Sequence, residues 1–363
     1  MTLDAQFQIF VRALLTDNPG QAEKLLRTWA GEVDITDLDP RILRMMPAFQ
    51  SALRRHGLPT PFPGWVKKFE RYWWLNQRWL ERSARPLVEA MCAQGVPVVA
   101  LKGLAVQASI AQPSLRTMSD IDLWVPEGAL LQVQQLLADQ GFVVAASAAA
   151  SWKRDPKRYV LTDHALPMRH LALKMEVDLH WRLGGLMPPH RSEAWMNAAL
   201  ADGVQVAGWP DGLRAMTGLP LVRTVMANGY MDAWSSGIWM LDVKALTEAW
   251  TTEVWLTLRE TFEADGRLFM WNWAVQTLLE HHFPLPAAVV HAGGAGPARR
   301  WRRMVYRGHW STVDKGVLAW PAVRPLRSAI RLTRLHARGV PLVRQAQVFA
   351  AHLLDELEGR KSD

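Results

Sequence analysis

The chain has 363 residues, 49% hydrophobic and 21% charged, with a formal net charge of +8. This is the composition of a soluble globular protein, with room for two or three packed units of about 150 residues each. A single cysteine, Cys92, excludes an internal disulfide and a multi-cysteine zinc site and fits a reducing, cytoplasmic setting.

No stretch reaches the roughly eighteen uncharged apolar residues of a membrane span. Met1 to Ile9 carries Asp4 and no basic side chain, so it does not read as a signal peptide. The charge is uneven. Arg299 to Arg344 holds twelve Lys/Arg and one acid, Asp314, a net of +11, which leaves −3 (8 minus 11) for the remainder. The 19 tryptophans are expected in core and groove packing.

Residues 1 to about 58 read as helical, with amphipathic stretches at Ala5–Leu15 and Pro19–Ala30. Pro59 to Gly64 marks a break. The spacing of Phe69, Trp73, Leu80, Leu87 and Met91 predicts a helix over Trp65–Gln94, which Pro86 should kink or split. Val98–Leu101 is a short buried strand, and Lys102-Gly103 opens a helix through Ala111. Pro113 and Ser114 form a loop. Met118–Val125 is a strand, and Pro126-Glu127 starts a helix that Gly141 stops. Phe142–Ala146, Tyr159–Leu166 and Leu173–Trp181 read as strands, the last two joined through Pro167 to Ala172. Gly184-Gly185 and Pro188-Pro189 close this unit. Beyond about His190 the chain is mostly helical, near Pro220–Met231, Ile238–Trp250, Glu253–Ala264 and Leu268–His282. Gly293–Pro297 links to the basic segment.

The chemistry concentrates between Lys102 and His180. A strand alternates its faces, so Asp120 and Asp122 point one way while Ile121, Leu123 and Val125 enter a core. Two neighbouring carboxylates repel unless a cation lies between them, and magnesium, which prefers carboxylates plus substrate phosphates, is the expected one. In the last strand Met175, Val177 and Leu179 form one face, and Glu176, Asp178 and His180 the other. Asp178 is the expected third acid, needed for a second metal and to deprotonate an attacking hydroxyl; Glu176 competes for that role. The Lys-Gly turn at a helix N-terminus offers N–H groups to phosphates, with Gly103 allowing close approach and Lys102 adding a point charge. Arg116 binds phosphate or pairs with Asp120. His180 reads as a structural histidine, the alternative being that it tunes the site or touches substrate, and Asp242 as a cap or ion-pair partner among helices. Cys92 has no adjacent histidine that would make it a nucleophile.

At these residues the sequence resembles the nucleotidyltransferase superfamily built on the DNA-polymerase-β-like core. It resembles more closely a bacterial family of uncharacterised nucleotidyltransferases often found in peptide natural-product gene clusters. The matching pieces are Leu101-Lys102-Gly103, Arg116 with Met118-Ser119-Asp120-Ile121-Asp122-Leu123, and Val177-Asp178-Leu179-His180-Trp181, with weaker similarity at Trp239 to Val243. The match covers roughly residues 75–185 and, more loosely, runs to about 290. The superfamily's usual turn is Gly-Gly or Gly-Ser; here it is Lys-Gly followed by Leu104, and the spacing to Asp120 is long.

The resemblance implies an α+β fold: a small mixed sheet with helices, flanked by N-terminal and C-terminal helical regions. The expected division is 1–74 (helical), 75–187 (nucleotidyltransferase core), 188–292 (helical) and 293–363 (basic segment). The implied activity is Mg²⁺-dependent transfer of NMP, with AMP from ATP the expected case, to a hydroxyl or phosphate of an acceptor. Asp120, Asp122 and Asp178 are the expected catalytic and metal-binding residues, and Lys102, Gly103, Arg116 and Ser119 the expected nucleotide contacts. The alternatives are a non-catalytic nucleotide-, RNA- or peptide-binding descendant and a toxin-like enzyme acting on tRNA. Arg324, Arg327, Arg331, Arg334 and Arg338, spaced 3, 4, 3 and 4, form one helical stripe, either a solvated face or a surface for an anionic partner.

Overall fold

The computed structural model describes residues 3–35, 37–184, 189–232 and 237–292. The Gly293–Pro297 linker and the arginine stripe lie outside the described residues.

The chain opens with α1 (Leu3–Leu15), α2 (Pro19–Glu32), α3 (Pro40–Arg44), α4 (Met46–His56) and α5 (Pro63–Ala93). Local chemistry sets their ends. Asn18 caps α2 by accepting from the Gln21 N–H, and Asp39 caps α3 by accepting from the Arg41 N–H; each is followed by proline at the first helical position. Gly57, at φ +65°, ends α4. Pro86 does not split α5. The carbonyl its missing N–H would have bonded belongs to Arg82, and both residues lie on the exposed face of the helix. Phe10, Trp29 and Phe49 pack these helices together, with ring centroids 4.9 to 5.6 Å apart.

The middle of the chain builds a mixed sheet. Its elements are β1 (Val98–Ala100), α6 (Lys102–Ser109), β2 (Ile121–Trp124), α7 (Leu130–Asp139), β3 (Phe142–Val144), α8 (Ala146–Arg154), α9 (Pro156–Thr162), β4 (Ala165–His170) and β5 (Met175–His180). After α10 (Pro189–Asp202) come β6 (Val204–Gln205) and β7 (Leu213–Ala215), which extend the same sheet. The seven strands lie in the order β3-β4-β5-β2-β1-β7-β6. β2 runs parallel to β5 and β1 parallel to β7; the other pairs are antiparallel.

The structure corrects several expected elements. Residues 159–162 are helical, not extended: Asp155 caps α9 by accepting from the Arg158 N–H, and Pro156 takes the first position. The strand instead runs through Pro167. In a strand a residue's N–H and C=O point to the same side. The Pro167 carbonyl accepts from the Ala145 N–H, just past the end of β3, so the donor proline lacks faces the end of the ladder. Pro126 precedes a 3₁₀ turn (Glu127–Ala129), and the regular helix starts only at Leu130. The region after His190 contains two strands that the helical reading missed. The expected boundary at 74/75 falls inside α5, and β6 and β7 lie beyond residue 187.

Five helices follow: α11 (Gly218–Asp232), α12 (Ile238–Leu246), α13 (Thr252–Ala264), α14 (Leu268–Glu280) and α15 (Ala287–Ala292). Trp255 and Trp271 are buried at their centre, as packing tryptophans should be. No helix among the described residues is long and apolar enough to cross a membrane.

Candidate active site

The parallel pairing of β2 and β5 brings the acids together. Ile121 faces Val177, Asp122 faces Asp178, Leu123 faces Leu179 and Trp124 faces His180. Residues opposite one another in a ladder share a face. Ile121, Leu123, Val177 and Leu179 are therefore fully buried on one side, while Asp122, Asp178 and His180 gather on the other. Ligand atoms of these three lie within 4.8 Å of one another.

Lys102 joins them from the turn between β1 and α6. Its Nζ is 2.6 Å from Asp122 Oδ1, and His180 Nε2 lies 2.8 Å from the same oxygen. Lys102 adopts φ +42°, a left-handed conformation that strains any residue with a Cβ.

The charges are strongly coupled. Burial alone would lower the Lys102 pKa, but the Asp122 carboxylate, aided by Asp178 and Asp120, outweighs it and holds the ammonium above its ordinary value. Burial would raise Asp122, but Lys102 and His180 hold it well below the usual carboxylate range. Asp178 goes the other way: burial and then the Asp122 charge push it up, against the pull of His180 and Lys102.

The remaining sequence candidates sit around this cluster. Asp120 lies one residue before β2 and accepts from Ser119 Oγ at 3.1 Å. It is outside the three-residue cluster, although its charge acts on both Lys102 and Asp178. Glu176 is exposed and pairs with Arg169 at 3.6 Å, away from the acids. Arg116 pairs with Asp242 of α12 at 2.7 Å, not with Asp120. Gly103 is buried: a Cβ there would meet Met118 Cγ at 2.8 Å, so Met118 makes the close approach expected of a phosphate. His180 is buried, and its Nδ1 has no hydrogen-bond partner among the described residues. Burial raises the Cys92 pKa, which fits a packing residue. Sequence reasoning missed Asn76, whose side chain donates to the Met118 carbonyl at 3.0 Å.

The donor set suits a hard divalent cation. Two carboxylates from adjacent strands match the preference of Mg²⁺ for few protein oxygens plus phosphates. The Lys102 ammonium is the counter-charge to Asp122. The His180 nitrogen is a softer donor, better suited to orienting Asp122.

A mixed sheet bearing register-matched aspartates beside a helix-opening turn defines a nucleotidyltransferase-type protein. The chain belongs to the family described as uncharacterised nucleotidyltransferase, whose model matches residues 43–266. Among solved structures, the chain is similar to the solution structure of the antibiotic-resistance factor ANT(2'')-Ia, at 15% identity and a TM-score of 0.36. That similarity covers 55% of this chain and 95% of the other. No curated protein matches the chain.

Proposed function

We propose that the protein is a Mg²⁺-dependent nucleotidyltransferase that moves NMP from an NTP, ATP in the first instance, to a hydroxyl or phosphate of an acceptor. The observation that carries this reading is the Asp122–Asp178 pair across the β2/β5 ladder, with the Lys102 ammonium against it. Asp122 and Asp178 are the residues that would hold the ion, with Asp120, which lies one residue before β2 and acts on Asp178 through its charge, as the further acid assigned to it. When bound, the ion supplies Lewis-acid charge neutralisation of the triphosphate.

The chain's own residues supply the rest. Lys102 provides a point charge for the triphosphate, and the N–H groups at the start of α6 provide donors. Ser119 holds Asp120 by donating to its carboxylate. Arg116, engaged by Asp242, braces the segment that leads to Asp120. His180 fixes the Asp122 rotamer through Nε2. With a hydroxyl acceptor, the acceptor oxygen bonds to the α-phosphorus and the bond from that phosphorus to the bridging oxygen breaks. Pyrophosphate leaves with the electron pair, and the hydroxyl proton passes to the Asp178 carboxylate, the more basic of the paired acids. We place the 75–187 stretch at the centre of this chemistry, with 188–292 shaping the acceptor side. The lone cysteine supports a cytoplasmic setting.

Incubation with α-labelled NTPs and the RNA, protein and small-molecule fractions of a lysate tests the proposal. Label should enter one fraction, and Asp122→Asn and Asp120→Asn should each cut incorporation by about a hundredfold or more without unfolding the chain. Transfer that survives both single changes refutes the assigned roles.

A further inference from the structure

A trough of about 640 Å³ runs between α5 and α6 and is closed on its far side by residues 206–209. Its α5 wall bears Lys67, Arg71, Trp74, Arg78 and Arg85, spaced three, four or seven residues apart on one helical face. Counting Arg54, five cations line the trough against two acids, Glu70 and Glu81. Lys67 and Arg71 make no ion pair among the described residues. Tryptophans stand among the cations. Trp74 is 56% exposed, with Arg78 5.9 Å over its ring, whereas Trp73 is half-buried and Trp209 buried in the trough wall. The Trp73 Nε1 donates to the Leu43 carbonyl at 2.7 Å, which fixes that ring in place.

Both walls are tied to the segment that leads to Asp120. On α5, Asn76 donates to the Met118 carbonyl at 3.0 Å; on α6, Gln107 donates to the Arg116 carbonyl at 2.6 Å. α6 itself begins at Lys102, two residues before Leu104 of the trough wall. The two helices of the trough are thus hydrogen-bonded to the backbone two and four residues before Asp120, and one of them opens at Lys102.

The geometry points to this trough as the docking surface of the acceptor, and to a single-stranded nucleic acid as that acceptor, a reading that rests on the proposed transferase function. Cations alone would serve any polyanion, an acidic peptide included. The exposed Trp74 face set among them serves a ligand with planar bases, because a base can stack on it while its phosphates meet the cations. From Lys67 to Arg85 the helix rises roughly 27 Å, the length of a short strand and more than a single nucleotide needs.

Fluorescence anisotropy of the full chain with a labelled twelve-nucleotide uridine RNA tests the inference. Binding should weaken steeply as salt rises. Trp74→Ala and Arg71→Glu, both exposed positions, should each raise Kd about fivefold to a hundredfold while leaving the melting temperature unchanged. Asp122→Asn should bind like the parent. RNA binding that both trough variants leave intact overturns the inference, as does equal competition by a polyglutamate peptide of matched charge. Tight, trough-dependent binding with no label transfer to any acceptor would instead sink the transferase reading, and with it the acceptor role, and leave the trough as an RNA-binding surface.

Discussion

Asp178 and Asp122, paired in one ladder, should titrate in opposite senses. Asp178 is raised by burial and by the Asp122 charge, so its contribution to stability is full below the ordinary carboxylate pKa and is lost as pH rises through the raised folded value. Asp122 is depressed, so its contribution is present above the ordinary value and is lost as pH falls through the depressed one. Below its raised value, Asp178 carries a proton that a divalent ion must displace. The affinity of the nucleotide-free protein for Mn²⁺, followed by calorimetry, should therefore fall roughly tenfold per pH unit once pH drops below the raised Asp178 value. A flat profile would contradict the assignment. Lys102 bears on the same equilibrium, because its ammonium is an internal competitor for Asp122. Lys102→Met should tighten Mn²⁺ binding without nucleotide and weaken transfer with it. If both fall together, the lysine is not a competitor.

The contacts between elements show which features were legible in the sequence. The alternation of β5 was readable because six consecutive residues keep period two, and the buried face emerged as expected. β6 and β7, two and three residues long, are too short to carry any period. Apolar content alone places the start of β4 too early, because the Asp155-Pro156 cap turns residues 156–162 into a helix. Within the site, the aspartates and the lysine were visible as motifs. Their convergence was expected from the roles of the motifs, but the direct Lys102–Asp122 contact was not, because it depends on β2 lying between β1 and β5. The partner of Arg116 was equally hidden: Asp242 lies 126 residues away in sequence. That pair joins the approach to β2 to α12, with Arg116 and Asp242 12% and 6% exposed in their side chains. Removing one partner strands a buried charge, so Asp242→Ala should lower the unfolding free energy by about 3 kcal/mol in urea. A loss below about 1 kcal/mol would mean that water reaches Arg116.

At the scale of the whole molecule, the sheet is assembled from distant parts of the chain. β1 lies between β2, which follows it closely, and β7, which begins at Leu213, and all three β1 residues are buried. A fragment that stops at residue 187 would present β1 as an unpaired hydrophobic edge. Such a fragment should be poorly soluble and show weak amide protection at Val98–Ala100, while the full chain protects them. Cooperative unfolding of a soluble 75–187 fragment would show that the core stands alone.

The same pairing puts a clock on biosynthesis. Val98 meets Leu213, 115 residues later (213 minus 98). At about 5–20 residues per second the ribosome needs roughly 6–23 s to deliver that partner. For that interval the nascent polypeptide carries a sticky open border beside its reactive carboxylates, so slowing translation between the two strands should increase the demand for chaperones.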